Sequence, residues 1–220
     1  MNFGELKDFA ASLLDDLEFG YFTESQVGVW INMGQRKLQR KLIEAGQGHY
    51  LKCASATLVI NDCSLPLPDD FHSIHKVKII TGGTYPNENS YIIQPVTLNE
   101  SDLLDSLPAA PMAYYLQANK LKIVPIPDNN YSTQVTYCYS VVDMTNDNQE
   151  PDAPEQYHEL IGIYGAKYGY VKDDRSMVQI EKMEQEYIAD LKRDAQQRQK
   201  QMSRWVRATG YNDTGNGEMF

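Results

Sequence analysis

The sequence predicts an α+β chain: a helical bundle of about four helices, an inserted small antiparallel β domain, and an extended C-terminal tail. Three observations predict it. Apolar residues recur at steps of three and four near both ends of the chain, the helical period. From about residue 50 the pattern changes to short runs rich in Val, Ile, Tyr and Thr, bounded by Gly, Pro, Asn and Asp. The last fourteen residues, "RATGYNDTGNGEMF", have no periodicity and several glycines, the composition of a segment without its own core. The boundaries that follow are 1–49 and 144–206 for the helices, 50–143 for the inserted β domain, and 207–220 for a flexible tail.

The first helix places Phe3, Leu6, Phe9, Ala10, Leu13, Leu14 and Leu17 on one stripe and breaks at Gly20. Thr23 and Gln26 are spaced as a capping box for the second helix. Its stripe is Val27, Trp30, Ile31, Gly34, Leu38 and Leu42, and Gly46 and Gly48 end it. Arg36, Lys37, Arg40 and Lys41 lie opposite and read as a solvated face. Six strands follow from "ATLVIND", "HKVKIITGG", "SYIIQPV", "AYYLQA", "NKLKIVPIP" and "TQVTYCYSVVD". "LPLPDDF" (65–71) is too rich in proline for a central strand and reads as a connector or edge. "TLNESDLLDSLP" (97–108) reads as one short helix capped at Asn99.

The third helix starts in "EPDAPEQYHELIGIYGAKYG" (150–169), where Asp152 and Glu155 are spaced as a capping box around Pro154. Gly162, Gly165 and Gly169 lie within it, and each costs a helix about 1 kcal/mol relative to alanine. The compensation expected is close packing. A strip of Gly162, Gly165, Ala166 and Gly169 beside the apolar stripe of Tyr157, Leu160, Ile161, Tyr164 and Tyr168 leaves room for another helix, with Gly34 as a matching flat spot. The last helix, about 176–206, carries Ile180, Met183, Tyr187, Leu191, Ala195, Met202 and Trp205, a stripe that thins after Leu191.

Composition excludes several functions. The formal charge of −10 over 220 residues repels a phosphate backbone, so a nucleic-acid grip is not expected. No run approaches the 18 or so apolar residues that span a bilayer, so no membrane is expected. Three cysteines (Cys53, Cys63, Cys138) without a CxxC pair suit neither a disulfide framework nor a zinc module, and point to thiols in a reducing compartment. His158-Glu159 is not HExxH, because Gly162 stands four after His158; the pair reads as ordinary first-turn polarity. No catalytic residue, metal ligand or cofactor site is expected. Fifteen tyrosines against six phenylalanines suit half-buried surfaces, and Tyr114, Tyr115, Tyr137 and Tyr139 are candidates for a subunit or tail interface.

Four stretches, taken in order, resemble the adaptor (head-to-tail connector, or head-completion) proteins of tailed bacteriophages: "WINMGQRKLQRKL" (30–42), "LPLPDDFHSIHKVKI" (65–79), "YYLQANKLKIVPIPD" (114–128) and "VTYCYSVVDMTNDNQEPDAPEQYHELIGIYGAKYG" (135–169). The pattern is an early W-I-N-x-x-Q helix, a strand with P-x-P-D, and an acidic proline turn before a Y-H-x-L-I helix. The resemblance implies a structural virion protein at the head–tail junction, made in the bacterial host cytoplasm. It implies a homo-oligomeric ring, usually twelve-fold, between the portal protein and a downstream tail protein (nozzle, stopper or terminator). Viral DNA would pass through the lumen without specific binding. The tail would dock on the portal, with Trp205, Arg207, Tyr211, Met219 and Phe220 as candidates. Another tail or baseplate component, or more remotely a metal-dependent hydrolase, is the alternative.

Overall fold

The computed structural model describes residues 1–82, 89–104 and 107–209. In chain order the elements are α1 (Phe3–Leu13), α2 (Glu24–Glu44), β1 (Leu51–Leu58), β2 (Ser64–Pro66), β3 (Phe71–Gly82), β4 (Asn89–Pro95), α3 (Leu98–Leu104), β5 (Ala113–Gln117), β6 (Lys120–Val124), β7 (Tyr131–Tyr139), α4 (His158–Lys172) and α5 (Val178–Thr209). The chain divides into two compact units, Met1–His49 with Val142–Phe220, and Tyr50–Val141.

The expectation of a helical bundle with a small inserted β domain is corrected. The fold is mixed α+β: the described residues form five α-helices and a seven-stranded sheet that curls into a nearly closed barrel. Strand order is β1-β7-β3-β4-β5-β6-β2. The seventh strand is Ser64–Pro66, which pairs with β6 through Leu65 opposite Leu121. It lies within the prolines read as connector or edge, and Pro66 is tolerated because β2 ends the strand order. Curling has an identifiable source. The twelve-residue β3 pairs with both β7 and β4, and its register shifts at Phe71/Ser73, Ile74/Lys76 and Ile80/Gly82. Each bulge bends and twists the strand. The two end strands, β1 and β2, approach each other without a ladder between them.

A flat sheet would keep one face in water. Here all seven strands send side chains into one interior: Leu58, Leu65, Val77, Ile79, Ile93, Tyr114, Leu121, Ile123, Val135 and Tyr137. The parallel pair, β4 with β5, needs a crossover rather than a hairpin, and α3 is that crossover. Its cap is Thr97, not Asn99: the Glu100 amide donates to Thr97 Oγ1 and the Thr97 amide to Glu100 Oε2.

In the helical unit, Asn2 and Glu5 form a reciprocal capping box at the start of α1. The turn into α2 is organised by Asp16, whose carboxylate accepts from the amides of Gly20, Tyr21 and Phe22. The Phe22 bond foremost, with those of Tyr21 and Gly20, holds the Asp16 carboxyl below the ordinary aspartate value despite partial desolvation. The capping box expected from Asp152 and Glu155 is absent. A 3-10 turn, Glu155–Tyr157, leads into α4 instead, and no side chain caps it.

Candidate functional site: the glycine seam and the return segment

The distinctive geometry of the helical unit is how closely α4 lies against α1 and α2. A β-carbon at Gly34 would stand 2.6 Å from the Ile161 carbonyl oxygen and 3.1 Å from Tyr164 Cβ. One at Gly165 would stand 2.7 Å from Ile31 Cδ1. Gly162 faces the Phe9 ring, and Gly169 faces the Leu14 methyl groups, 2.6 Å from where its β-carbon would be. The predicted strip thus divides: Gly34 and Gly165 lie where α2 and α4 meet, while Gly162 and Gly169 lie against α1. The α4 face is apolar almost all round, with Leu160, Ile161, Ile163, Tyr164 and Ala166 buried. A helix of that kind belongs inside a structure.

Residues 142–149, where the chain returns to the helices, fasten both N-terminal helices. Asn32 on α2 hydrogen-bonds the Met144 backbone twice: its Nδ2 donates to the Met144 carbonyl at 3.0 Å, and its Oδ1 accepts from the Met144 amide at 2.9 Å. Gln35 Nε2 donates to the Val142 carbonyl at 3.0 Å, and Arg36 pairs with Asp143. On the other side the amides of Phe3 and Gly4, orphan donors of the first turn of α1, donate to Gln149 and Asp147 carbonyls. Lys7, almost wholly buried, reaches Glu24 on α2 and Asp147 on the return segment. Burial disfavours its charge, yet the hydrogen bonds to Asp147 and Glu24 outweigh that and raise its pKa.

The W-I-N-x-x-Q stretch thereby acquires a physical reading. Ile31 fills the hollow left by Gly165, while Asn32 and Gln35 grip the returning backbone. Trp30 stands edge-on to Phe22 at 5.2 Å. Asn32→Ala should cost about 2–3 kcal/mol, because both Met144 backbone groups lose their partner in a buried place. The urea midpoint at pH 7 reads this out, and a loss below about 0.5 kcal/mol would contradict the account.

Two expectations about polar residues change. His158 is not surface polarity: it is buried, and its ring hydrogen-bonds the Ala153 carbonyl through Nε2 and the Met1 ammonium through Nδ1. The α2 cations are not simply solvated either. Lys37 and Lys167 of α4 converge on Glu184 of α5, with Nζ 3.2 Å from Oε1 and 2.5 Å from Oε2 respectively. Lys37 also sits over the Tyr164 ring, 4.0 Å from its centre. Burial works against the Glu184 charge, but hydrogen bonds from Lys167 and Lys37 prevail and its pKa is lowered. Sequence reasoning missed this clamp, since its three members lie on three helices.

The tyrosines separate. Tyr114 and Tyr137 are buried in the barrel interior, whereas Tyr115 and Tyr139 are half-buried. Tyr137 donates to Asp70, which also pairs with Lys52, and Lys52 lies over the Tyr139 ring. Trp205 and Arg207 fall on the final turns of α5, and Tyr211, Met219 and Phe220 lie outside the described residues. Among the described residues, no group of three or more His, Cys, Asp or Glu side chains is placed to hold a metal ion. No helix among them is long and apolar enough to cross a membrane.

What this geometry defines is an α+β scaffold, built around tight helix contacts and a fastened return segment. A family model described as the SU10 adaptor protein matches residues 1–209, and the chain belongs to that family of phage head–tail adaptors. It is thus a bacteriophage structural adaptor, a virion protein that works with other head and tail proteins. No curated protein matches the chain.

Proposed function

We propose that this protein forms a ring, dodecameric, between the portal and the tail. The ring would be the passage for DNA and the platform to which the next tail protein attaches. The observation that carries this reading is the adaptor-family match across nearly the whole chain. Charge supports the passage role. Twelve copies at −10 each bring about −120 to the ring, which discourages DNA from adhering. A ring joins one face of a subunit to a different face of the next. The half-buried Tyr115 and Tyr139 are the proposed contact tyrosines, whether toward a neighbour or toward the tail protein. Residues 207–220 are the proposed portal dock. Two measurements test this. Electron microscopy of the protein assembled on portals should show a twelve-fold ring at the portal's tail-facing end; a monomeric or randomly placed density would overturn it. Deleting residues 207–220 should leave a folded protein that no longer adds to portals.

A further inference from the structure

The sheet stops short of closure, and the gap between its end strands has two unequal banks. β1 has β7 on one side and no ladder on the other; among the described residues no backbone hydrogen bond joins it to β2. In an antiparallel pair every second residue turns its N–H and C=O away from the partner, so alternate β1 residues offer theirs to the gap. Folded proteins usually guard such an edge with charge, proline or a bulge. From Cys53 to Leu58, β1 has none of these: the residues are Cys-Ala-Ser-Ala-Thr-Leu, and the register with β7 runs unbroken. The opposite bank is guarded, because Pro66 of β2 has no N–H to donate and Pro68 follows it. A cavity of about 310 Å³ opens between the banks, with Leu121 and Val135 in its floor, Leu65 and Leu67 on the β2 side and only Ala54 and Ala56 on the β1 side. We propose that this gap accepts an extended segment of another polypeptide. The segment pairs antiparallel with β1 as an eighth strand, sets side chains of valine or leucine size over Ala54 and Ala56 at alternate positions, and turns carboxylates outward.

Each side of the gap specifies part of that occupant. The β1 edge requires a strand, since extended backbone alone presents donors and acceptors at the spacing of a ladder. The cavity requires apolar side chains at every second residue, because Ala54 and Ala56 point inward two positions apart and leave the space unfilled. The outer face favours acid. Leu121 is turned inward opposite Leu65, so its neighbours Lys120 and Lys122 stand on the outside of β6, next to β2. Among the described residues neither lysine makes an ion pair, and Lys122 reaches only the Cys63 sulfur, at 3.9 Å. A second copy's sheet edge is a poor occupant. It would arrive with its own next strand behind it, where the β2 bank already stands, whereas a single segment brings no sheet. The adaptor works with other head and tail proteins, and an extended arm of one of them is the segment proposed. The site needs neither the ring nor the portal dock.

The test uses the free, full-length chain, with no portal present, so its failure leaves the adaptor reading untouched. The probe is a fluorescent peptide, Glu-Val-Glu-Leu-Glu-Val-Glu, compared with the same residues ordered with all the glutamates first. Anisotropy should show saturable binding of the alternating peptide below about 1 mM, and binding of the reordered one about tenfold weaker. Ala54→Leu fills the gap from within and should weaken binding about tenfold. Lys120→Glu with Lys122→Glu, both outside the core, should weaken it about tenfold at low salt and less at high salt. In hydrogen exchange read by NMR, alternate amides between Lys52 and Leu58 should exchange about tenfold more slowly with peptide at about ten times its Kd. Equal binding of the two peptides, no binding at about 1 mM, or binding that leaves the β1 amides unprotected would each overturn the proposal. So would lysine variants that bind as wild type does. Protection of β1 that grows with protein concentration in the absence of peptide would also overturn it, because the occupant would then be a second copy.

Discussion

Gly34→Ala should destabilise the helical unit by about 2–3 kcal/mol net, although alanine favours a helix over glycine by about 1 kcal/mol. The reason is the identity of the obstructing atom. The new β-carbon would stand 2.6 Å from the Ile161 carbonyl oxygen, a backbone atom in the first turn of α4. A backbone carbonyl cannot rotate aside without unwinding its helix, so α2 and α4 would have to separate along the whole contact. Gly165→Ala provides the contrast. Its β-carbon meets the terminal Cδ1 of Ile31 at 2.7 Å, and a side-chain end relocates more cheaply. Gly165→Ala should therefore cost less than Gly34→Ala, while Gly165→Leu, with three more carbons in the same hollow, should prevent the helical unit from folding. Urea midpoints for the two alanine variants decide this. Equal losses, or a Gly34→Ala protein as stable as wild type, would contradict the close-approach account, as would a soluble, folded Gly165→Leu.

That contrast marks how far the sequence could be read. The periodic stripes of α1, α2 and α4 were legible because a one-dimensional period reports directly on which face is buried. The glycines of α4 were legible as a gap in side-chain volume. Which backbone or side chain enters each gap was not, because that depends on two helices meeting at one register. The barrel was illegible for a similar reason. Its closure follows from bulges in β3 and a three-residue strand that ends in Pro66, and neither leaves a repeating signal. Tyrosine count suggested half-buried surface, but alternation along β5 turns Tyr114 inward and Tyr115 half out, while on β7 Tyr137 and Tyr139 share the inward face and Tyr139, the last residue of the strand, is only partly covered. Asn32 and Gln35 stood out as part of a motif. Their role depends on residues 142–144, more than a hundred positions later, folding back against α2.

Glu184→Gln should cost about 2 kcal/mol at pH 7, and progressively less as pH falls below the unfolded glutamate value of about 4.3. Breaking a fully buried ion pair by removing one partner costs about 3–5 kcal/mol. This one is shielded less completely: the Glu184 side chain is 12% exposed and Lys167 19%, but Lys37 is 33% exposed, so solvent lowers the figure. Glutamine keeps the shape and loses the charge, leaving two ammonium groups beside a neutral amide, with only the longer 3.7 Å contact of Lys167 to Glu181 remaining. The pH dependence follows from the lowered Glu184 pKa. A carboxyl that titrates lower in the folded protein contributes its full stability above its unfolded value, about 4.3, and loses it as pH falls through the folded value. Wild type and Glu184→Gln should therefore differ in urea midpoint at neutral pH and converge under acid. Because the carboxylate ties α5 to both α2 and α4 beside the apolar contacts of Ile180, Leu191 and Ala195, protease sensitivity of α5 should rise in step with the loss, in wild type at low pH and in the variant at neutral pH. A difference between the two proteins that persists unchanged at pH 3 would mean that Glu184 acts through packing, and the charge clamp would be refuted.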